Sequence, residues 1–441
     1  MSPLVYREEE SSHPLEILRL WFPLALTWVA MSAEGPTLAS FVARLPREVP
    51  NLAAWGVSIS LIMVCESPIL SIISAAIALA RNRRTYLALR WFTFLHCIGC
   101  TCFCVALLCD PMFSFVSEHI MGLDREVRDL VFSSFCYFIP CPFAVGYRRL
   151  YQGILVRAGQ SRLVALGTVG RFLVMILFAS LLYRTHVFAG CELASISITA
   201  GLIFEALFAG AAAKPAVRAL LNNHEADETD VITLKDFVRF YYPLALSVVV
   251  ALSIVPVITV SLSRARDGII ALAVFPVLNA FTQVFRSTGY AYQEVAVAFA
   301  SRGEVFLRPL RNVALGLSAA LVGMLTFIAF IPQVSMFWFV RVSGLSTELS
   351  TEALLPLQIL CFSPALSVWI CYQRGVYVAK KRTEVITASG FIELVGIALS
   401  MYLLIAHTTF GGVTSAAFAL VIGGALSIVW FELDRAFSTR A

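Results

Sequence analysis

Long apolar runs alternate with short polar or basic turns from one end of the chain to the other. A run of about 20 apolar residues is long enough to cross a bilayer as a helix. Six such runs fall in the first half: Leu15–Val42, Leu52–Ala80, Leu87–Cys109, Val127–Leu150, Leu163–Tyr183 and Cys191–Ala213. Six more follow: Phe237–Leu262, Ile269–Ala300, Val313–Ile331, Leu354–Val378, Val385–Ala406 and Val413–Phe431. Between the sets, Lys214–Lys235 holds a polar stretch from Asn222 to Asp230 that reads as a solvated linker. The pattern predicts an all-α polytopic membrane protein with twelve transmembrane helices. Its expected parts are a six-helix lobe over residues 1–213, a cytoplasmic linker over 214–235 and a second six-helix lobe over 236–441.

The two sets are copies. Pro23-Leu24-Ala25-Leu26 recurs as Pro243-Leu244-Ala245-Leu246, and at the same displacement Arg19, Pro36, Arg44 and Ser67 meet Arg239, Pro256, Arg264 and Ser287. Further on, Pro142 meets Pro364 and Gly153 meets Gly375. An internal duplication of this size in a hydrophobic chain is the plan of many secondary transporters. Basic residues gather after the even-numbered runs: Arg81, Arg83 and Arg84, then Arg148, Arg149, Arg157 and Arg162, then Lys214 and Arg218, and finally Lys380, Lys381 and Arg382. The positive-inside rule then puts both termini in the cytoplasm. Because each half has an even number of runs, the repeats are expected to be parallel, related by an axis along the membrane normal.

Composition agrees with the pattern and removes other classes. Apolar residues are 59% of the chain and charged residues 14%, against roughly 45–50% and about 25% in soluble domains. The net charge of +5 is spread over the loops, which gives nucleic-acid binding no footprint. Met1–His13 is polar and acidic, and no small-residue cleavage site follows the first apolar run, so no signal peptide is expected. No phosphate-cradling glycine loop is present, which argues against an ATP-driven pump. Cys97, Cys100, Cys102, Cys104 and Cys109 crowd the third run without a His or carboxylate cluster, and read as small apolar residues rather than metal ligands. Neither a metal nor a cofactor is expected.

Two stretches resemble a known family. Phe240-Tyr241-Tyr242-Pro243-Leu244-Ala245-Leu246, continued by Val255-Pro256-Val257 and Ser263-Arg264, is similar to the progressive ankylosis (ANK) proteins. So are Leu357-Gln358-Ile359-Leu360-Cys361-Phe362-Ser363-Pro364 and Lys380-Lys381-Arg382-Thr383. That family lies in the superfamily of multidrug and toxic compound extrusion (MATE) exporters and oligosaccharide-lipid flippases. The resemblance implies two parallel six-helix lobes of MATE-like type, alternating access, and export of organic anions such as citrate, pyrophosphate or nucleotides.

Ionisable residues inside apolar runs are the candidate site, because each costs roughly 2.5–3.5 kcal/mol at a helix centre. Glu34, Glu66, Arg171, Glu205, Arg286, Glu294 and Glu393 lie near run centres. The repeat superposes Glu66 on Arg286 and Arg171 on Glu393, so each half has one acid and one base with the signs exchanged. Two readings follow. Glu66 pairs with Arg171 and Arg286 with Glu393 inside each half, or Glu66 faces Arg286 across a cleft. Asn279 and Gln283 share a helical arc with Arg286 and would complete a polar face toward substrate. Arg148 and Gln152, at the end of the fourth run, either build a vestibule for anions or anchor the helix end. Glu34, in Ala33-Glu34-Gly35-Pro36 where a helix is expected to bend, and Glu66 are the candidates for a coupling proton or sodium ion.

The leading expectation is a secondary exporter of organic anions in the plasma membrane, working as a monomer in contact with membrane lipid and without enzymatic activity. The alternatives are a proton- or sodium-coupled exporter of cationic drugs and a flippase for lipid-linked substrates.

Overall fold

The computed structural model describes residues 3–222, 241–242, 245–246, 248–300, 303–380 and 382–438. Among them nine helices are long and apolar enough to cross a membrane, and two bent helix pairs bring the number to eleven. The first half holds α1 (Pro14–Ala43), α2 (Glu48–Ile77), α3 (Arg83–Leu108), the bent α4 (Arg125–Cys136 with Cys141–Arg157), α5 (Ser161–Thr185) and α6 (Gly190–Ala212). The second holds α7 (Val248–Ser263), α8 (Gly268–Ala300), α9 (Glu304–Phe330), the bent α10 (Thr347–Leu360 with Ser363–Ala379), α11 (Thr383–His407) and α12 (Gly412–Phe437). The expected seventh run begins outside the described residues, and its described part, α7, is shorter than a full span. Residues 223–235 of the expected linker and Pro243-Leu244 of the repeat also lie outside them.

Breaks in the helices have local causes. The two segments of α4 meet at 45° beside Pro140 and Pro142, and those of α10 at 41° beside Pro364; a proline ring supplies no N–H and fits best in the first helical turn. The expected bend of α1 is an interruption at Ala33. There Thr37 donates through both its N–H and its hydroxyl to the Ala33 carbonyl, at 3.1 and 2.7 Å.

The duplication is visible in structure where the sequence reading did not find it. After α3 and after α9, short helices run into a single π-type turn, at Phe115–Ile120 and at Phe337–Val342. In the first, the N–H groups of Met121 and Leu123 donate to the carbonyls of Val116 and Ser117 at 3.0 and 2.8 Å. In the second, those of Ser343 and Leu345 donate to Trp338 and Phe339 at 2.8 and 2.9 Å. Both turns end on a glycine with left-handed backbone, Gly122 at φ 61° and Gly344 at φ 79°, a conformation that a side chain disfavours.

The chain divides into two compact units. One comprises Met1–Ser40 with Ala265–Ala441, and the other Phe41–Arg264. This division does not follow the halves of the sequence, because the first and seventh helices are exchanged between them. Within the first unit α1 binds α8, where the indoles of Trp21 and Trp28 donate to the Thr288 carbonyl and the Glu294 carboxylate, each at 3.1 Å. Within the second, α7 lies against α2, where Thr259 and Ser60 share a hydrogen bond of 2.6 Å.

Where apolar lipid offers helices no hydrophobic reason to associate, small residues let their backbones come close. Gly153 of α4 is such a point: a Cβ there would lie 2.5 Å from Ala76 Cβ and 2.7 Å from the Ile73 carbonyl oxygen. Its repeat mate Gly375 meets Ala296 Cβ at 2.5 Å and the Gln293 oxygen at 3.0 Å in the same way. Gly153→Val and Gly375→Val should each destabilise the protein by roughly 1–3 kcal/mol through overpacking. Thermal unfolding in detergent checks this against Gly99→Val, where a Cβ meets nothing within 4 Å and little change is expected.

Candidate functional site

In the Phe41–Arg264 unit, α4, α5 and α6 converge on one carboxylate. Glu205 of α6 is 1% exposed. Its Oε2 lies 2.6 Å from Arg148 Nη1 and 3.2 Å from Arg171 Nε. Its Oε1 accepts from Gln152 Nε2 at 2.9 Å and from the Thr168 hydroxyl at 3.0 Å. Helical spacing explains the convergence: Arg148 and Gln152 are one turn apart on α4, and Thr168 and Arg171 are nearly one turn apart on α5. Arg148 and Gln152 therefore turn into the unit's interior, 6% and 4% exposed, and do not anchor a helix end in water.

Glu66 lies close by. Arg148, Arg149 and Arg171 are its charged neighbours, yet its buried Oε1 makes no hydrogen bond. The Nε of Arg149 is likewise buried without a hydrogen-bond partner. Glu66 ends the first segment of α2, and a short 3-10 stretch, Ser67–Ser71, follows it. Pro68 is the cause, since it cannot donate to the Val64 carbonyl; the Ser67 hydroxyl donates there instead, at 2.9 Å. The Tyr241 hydroxyl donates to the Pro68 carbonyl. In the repeat, Ser287 makes the corresponding bond to Val284 at 2.7 Å. There Thr288 stands in the proline's place and α8 runs unbroken through Arg286.

The Met1–Ser40/Ala265–Ala441 unit has its own polar group. Arg374 Nη2 of α10 lies 3.2 Å from Glu393 Oε2 of α11, and Gln373 Nε2 donates to Glu432 Oε1 at 2.8 Å. Arg286, Arg374 and Glu393 all lie near Cys371. Arg286 is half-buried, and its backbone carbonyl accepts from the Ser367 hydroxyl at 2.8 Å. Asn279 and Gln283 are also half-buried on α8. Glu34, half-buried, opens the second segment of α1 beside Gly35, which packs against Ala280.

The ion pairs of Arg171 and Glu393 include partners that the exchanged charges did not imply, although Arg171 is also a charged neighbour of Glu66. Arg171 binds Glu205, and Glu393 binds Arg374. Symmetry is kept at the helix level: Gln152 and Arg374 are repeat mates, as are Arg171 and Glu393. In each unit the fourth-helix residue reaches toward a charge, but only in the second does it carry one itself. Glu205 is an intramembrane acid in the sequence, but its repeat mate is Ser427, so the repeat pairs it with no opposite charge.

No protein-family profile matches the chain, and no characterised relative matches it by sequence. Solved structures do. A multidrug resistance MATE family transporter of the MOP superfamily in an inward-facing conformation superposes with a TM-score of 0.73 at 16% identity, over 94% of this chain and 98% of the other. The fold is that of MATE transporters. The lipid II flippase MurJ, in an inward closed conformation, gives 0.70 at 12% identity, over 95% of this chain and 87% of its own. A MOP superfamily transporter from Pyrococcus furiosus, described by the reverse polarity of its binding pocket, gives 0.60 at 15% identity over 96% of each chain.

Such coverage makes this chain a multi-pass membrane protein of transporter fold over nearly its whole length. Glu205→Gln should break the ion pairs of Glu205 with Arg148 and Arg171 and cost about 3–5 kcal/mol, the usual penalty for breaking a buried pair. Glu66→Gln should cost far less, because one carboxylate oxygen is already without a hydrogen-bond partner. Melting curves of the two variants side by side check this, and equal losses would contradict it.

Proposed function

We propose that the protein is a secondary transporter that exports organic anions by alternating access. The observation that carries this reading is that guanidinium groups outnumber carboxylates in each of two clusters inside the membrane-spanning helices. Arg148, Arg149 and Arg171 face Glu66 and Glu205 in one unit, and Arg286 and Arg374 accompany Glu393 in the other. A positive charge without a counter-charge is costly at this depth, and an anionic substrate supplies what is missing. Planar guanidinium donors suit carboxylate and phosphate groups. Arg286, Asn279, Gln283, Glu66, Arg148, Gln152, Arg171 and Glu393 are the residues assigned to the substrate path. The resemblance to the ANK family points to the same substrates, among them citrate, pyrophosphate and nucleotides.

The driving force is sufficient without a coupling ion. The membrane potential is worth roughly 2.3 kcal/mol per charge per 100 mV, so a trivalent anion leaving a cell at about −100 mV gains roughly 7 kcal/mol. In this reading the protein is a monomer in the plasma membrane, with both termini and the 214–235 linker in the cytoplasm. The reverse pocket polarity ascribed to one structural neighbour supports treating site charge as what separates substrates within this fold.

A second reading has an observation of its own. The Glu66 oxygen that makes no hydrogen bond sits at the break in α2, a suitable acceptor for a proton or sodium ion in a coupled exporter of cationic drugs. Proteoliposomes separate the two. Under the anion reading, citrate or pyrophosphate efflux rises with an inside-negative potential. Arg286→Ala lowers it at unchanged expression, and Arg286→Glu nearly abolishes it. Uptake of a cationic dye driven by a pH gradient, lost in Glu66→Gln, is the result that would favour the coupled exporter.

A further inference from the structure

A cavity of about 750 Å³ opens on the Phe41–Arg264 unit, and neither Glu205 nor its partners line it. Its walls come from the start of α3, the second segment of α4, the end of α6 and a short helix, Lys214–Asn222, that follows α6. The interior is largely apolar, with Phe143, Ile203 and Leu207 among its lining residues. The polar side chains are of two kinds: the phenols of Tyr86, Tyr147 and Tyr151, and the cations Lys214 and Arg218.

Arg90 adds a third cation. It lies one turn beyond Tyr86 on α3, is exposed at the protein surface, and is within reach of the Tyr86 and Tyr147 hydroxyls. At a rise of about 1.5 Å per residue, its position past Arg83 places it on the order of 10 Å into the span. Among the described residues no carboxylate lies within ion-pairing distance of Arg90. Phenols orient a guanidinium but leave its charge in place. An arginine open to lipid at this depth is stabilised by an anion that itself belongs to the membrane.

The short helix supplies the rest. Lys214, Val217 and Arg218 of this helix all line the cavity, and the two cations are also exposed. Apolar volume on one side and fixed cations on the other match the two ends of a phospholipid. We propose that this cavity binds an anionic phospholipid, with its phosphate held by Arg90, Lys214 and Arg218 and an acyl chain lying along the apolar wall. On the proposed topology the lipid comes from the cytoplasmic leaflet, where anionic headgroups favour basic residues. The wall it covers includes Tyr151, the neighbour of Gln152, so bound lipid presses on the helix that brings Arg148 and Gln152 to Glu205.

The full chain in detergent, titrated with phosphatidylglycerol, phosphatidylcholine or glycerol 1-phosphate, tests this by native mass spectrometry and thermal unfolding. Phosphatidylglycerol should give a discrete one-to-one adduct and a raised melting temperature; the other two should give neither. The triple variant Arg90→Gln, Lys214→Gln, Arg218→Gln should bind about a hundredfold more weakly, as loss of three surface basic residues implies. Ala206→Trp, which fills the cavity without changing charge, should abolish the adduct, and Arg90→Lys should keep it. Equal binding of the two lipids, retention by the triple variant or by Ala206→Trp, or displacement by glycerol 1-phosphate would each overturn the proposal.

Discussion

One carboxylate holds the core of the Phe41–Arg264 unit together. Glu205 receives two guanidinium groups, an amide and a hydroxyl from α4 and α5. In water such contacts contribute little, because each group is solvated when free. In a membrane the alternative to a protein partner is hydrocarbon, so polar groups must be answered inside the helix bundle. The same rule accounts for the serine pairs that join helices within each unit: Ser134 with Ser195 at 2.7 Å in this one, and Ser389 with Ser427 at 2.8 Å in the other. Ser427 is the repeat mate of Glu205. The duplicated position thus carries a helix-to-helix polar contact in both units, but as an ionic hub in one and a neutral bond in the other.

The fold was largely legible because its signal is coarse. A run of apolar residues long enough to span a bilayer needs no tertiary information to recognise, and α2, α3, α5, α6, α8 and α11 lie within a few residues of the runs that predict them, while α9 starts earlier and α12 ends later than its run. The interruptions of α1, α4 and α10 also follow from proline positions. What escaped the sequence is lateral: which helix lies beside which. The pairing of Arg171 with Glu205, and the assignment of α1 and α7 to compact units, depend on packing between residues far apart in the chain. The repeated π-type turns, with Gly122 and Gly344 at their ends, were missed because their side chains differ almost throughout; Phe115 and Phe337 are the clearest match.

Divergence between the repeats is sharpest at a single backbone nitrogen. Ser67 and Ser287 make the same hydroxyl bond to the carbonyl three residues earlier. Pro68 turns that position into a break in α2, whereas Thr288 lets α8 continue. A stretch of 3-10 geometry within a helix has poorer hydrogen bonds than its surroundings and is a natural place for bending. The two units thus differ in helix geometry beside Glu66 and Arg286, where their charges differ as well.

The exchange of the first and seventh helices bears on how the protein is made. Residues 1–40 belong to a unit whose remaining parts begin at Ala265. During synthesis the first helix enters the membrane before its neighbours α8 and α9 exist, and it must wait while more than half of the chain is inserted. Until then Trp21 and Trp28 lack the acceptors they meet in the finished protein. The Phe41–Arg264 unit, by contrast, is complete once α7 has emerged. The contacts that hold α1 in its unit can therefore form only after α8 has been made.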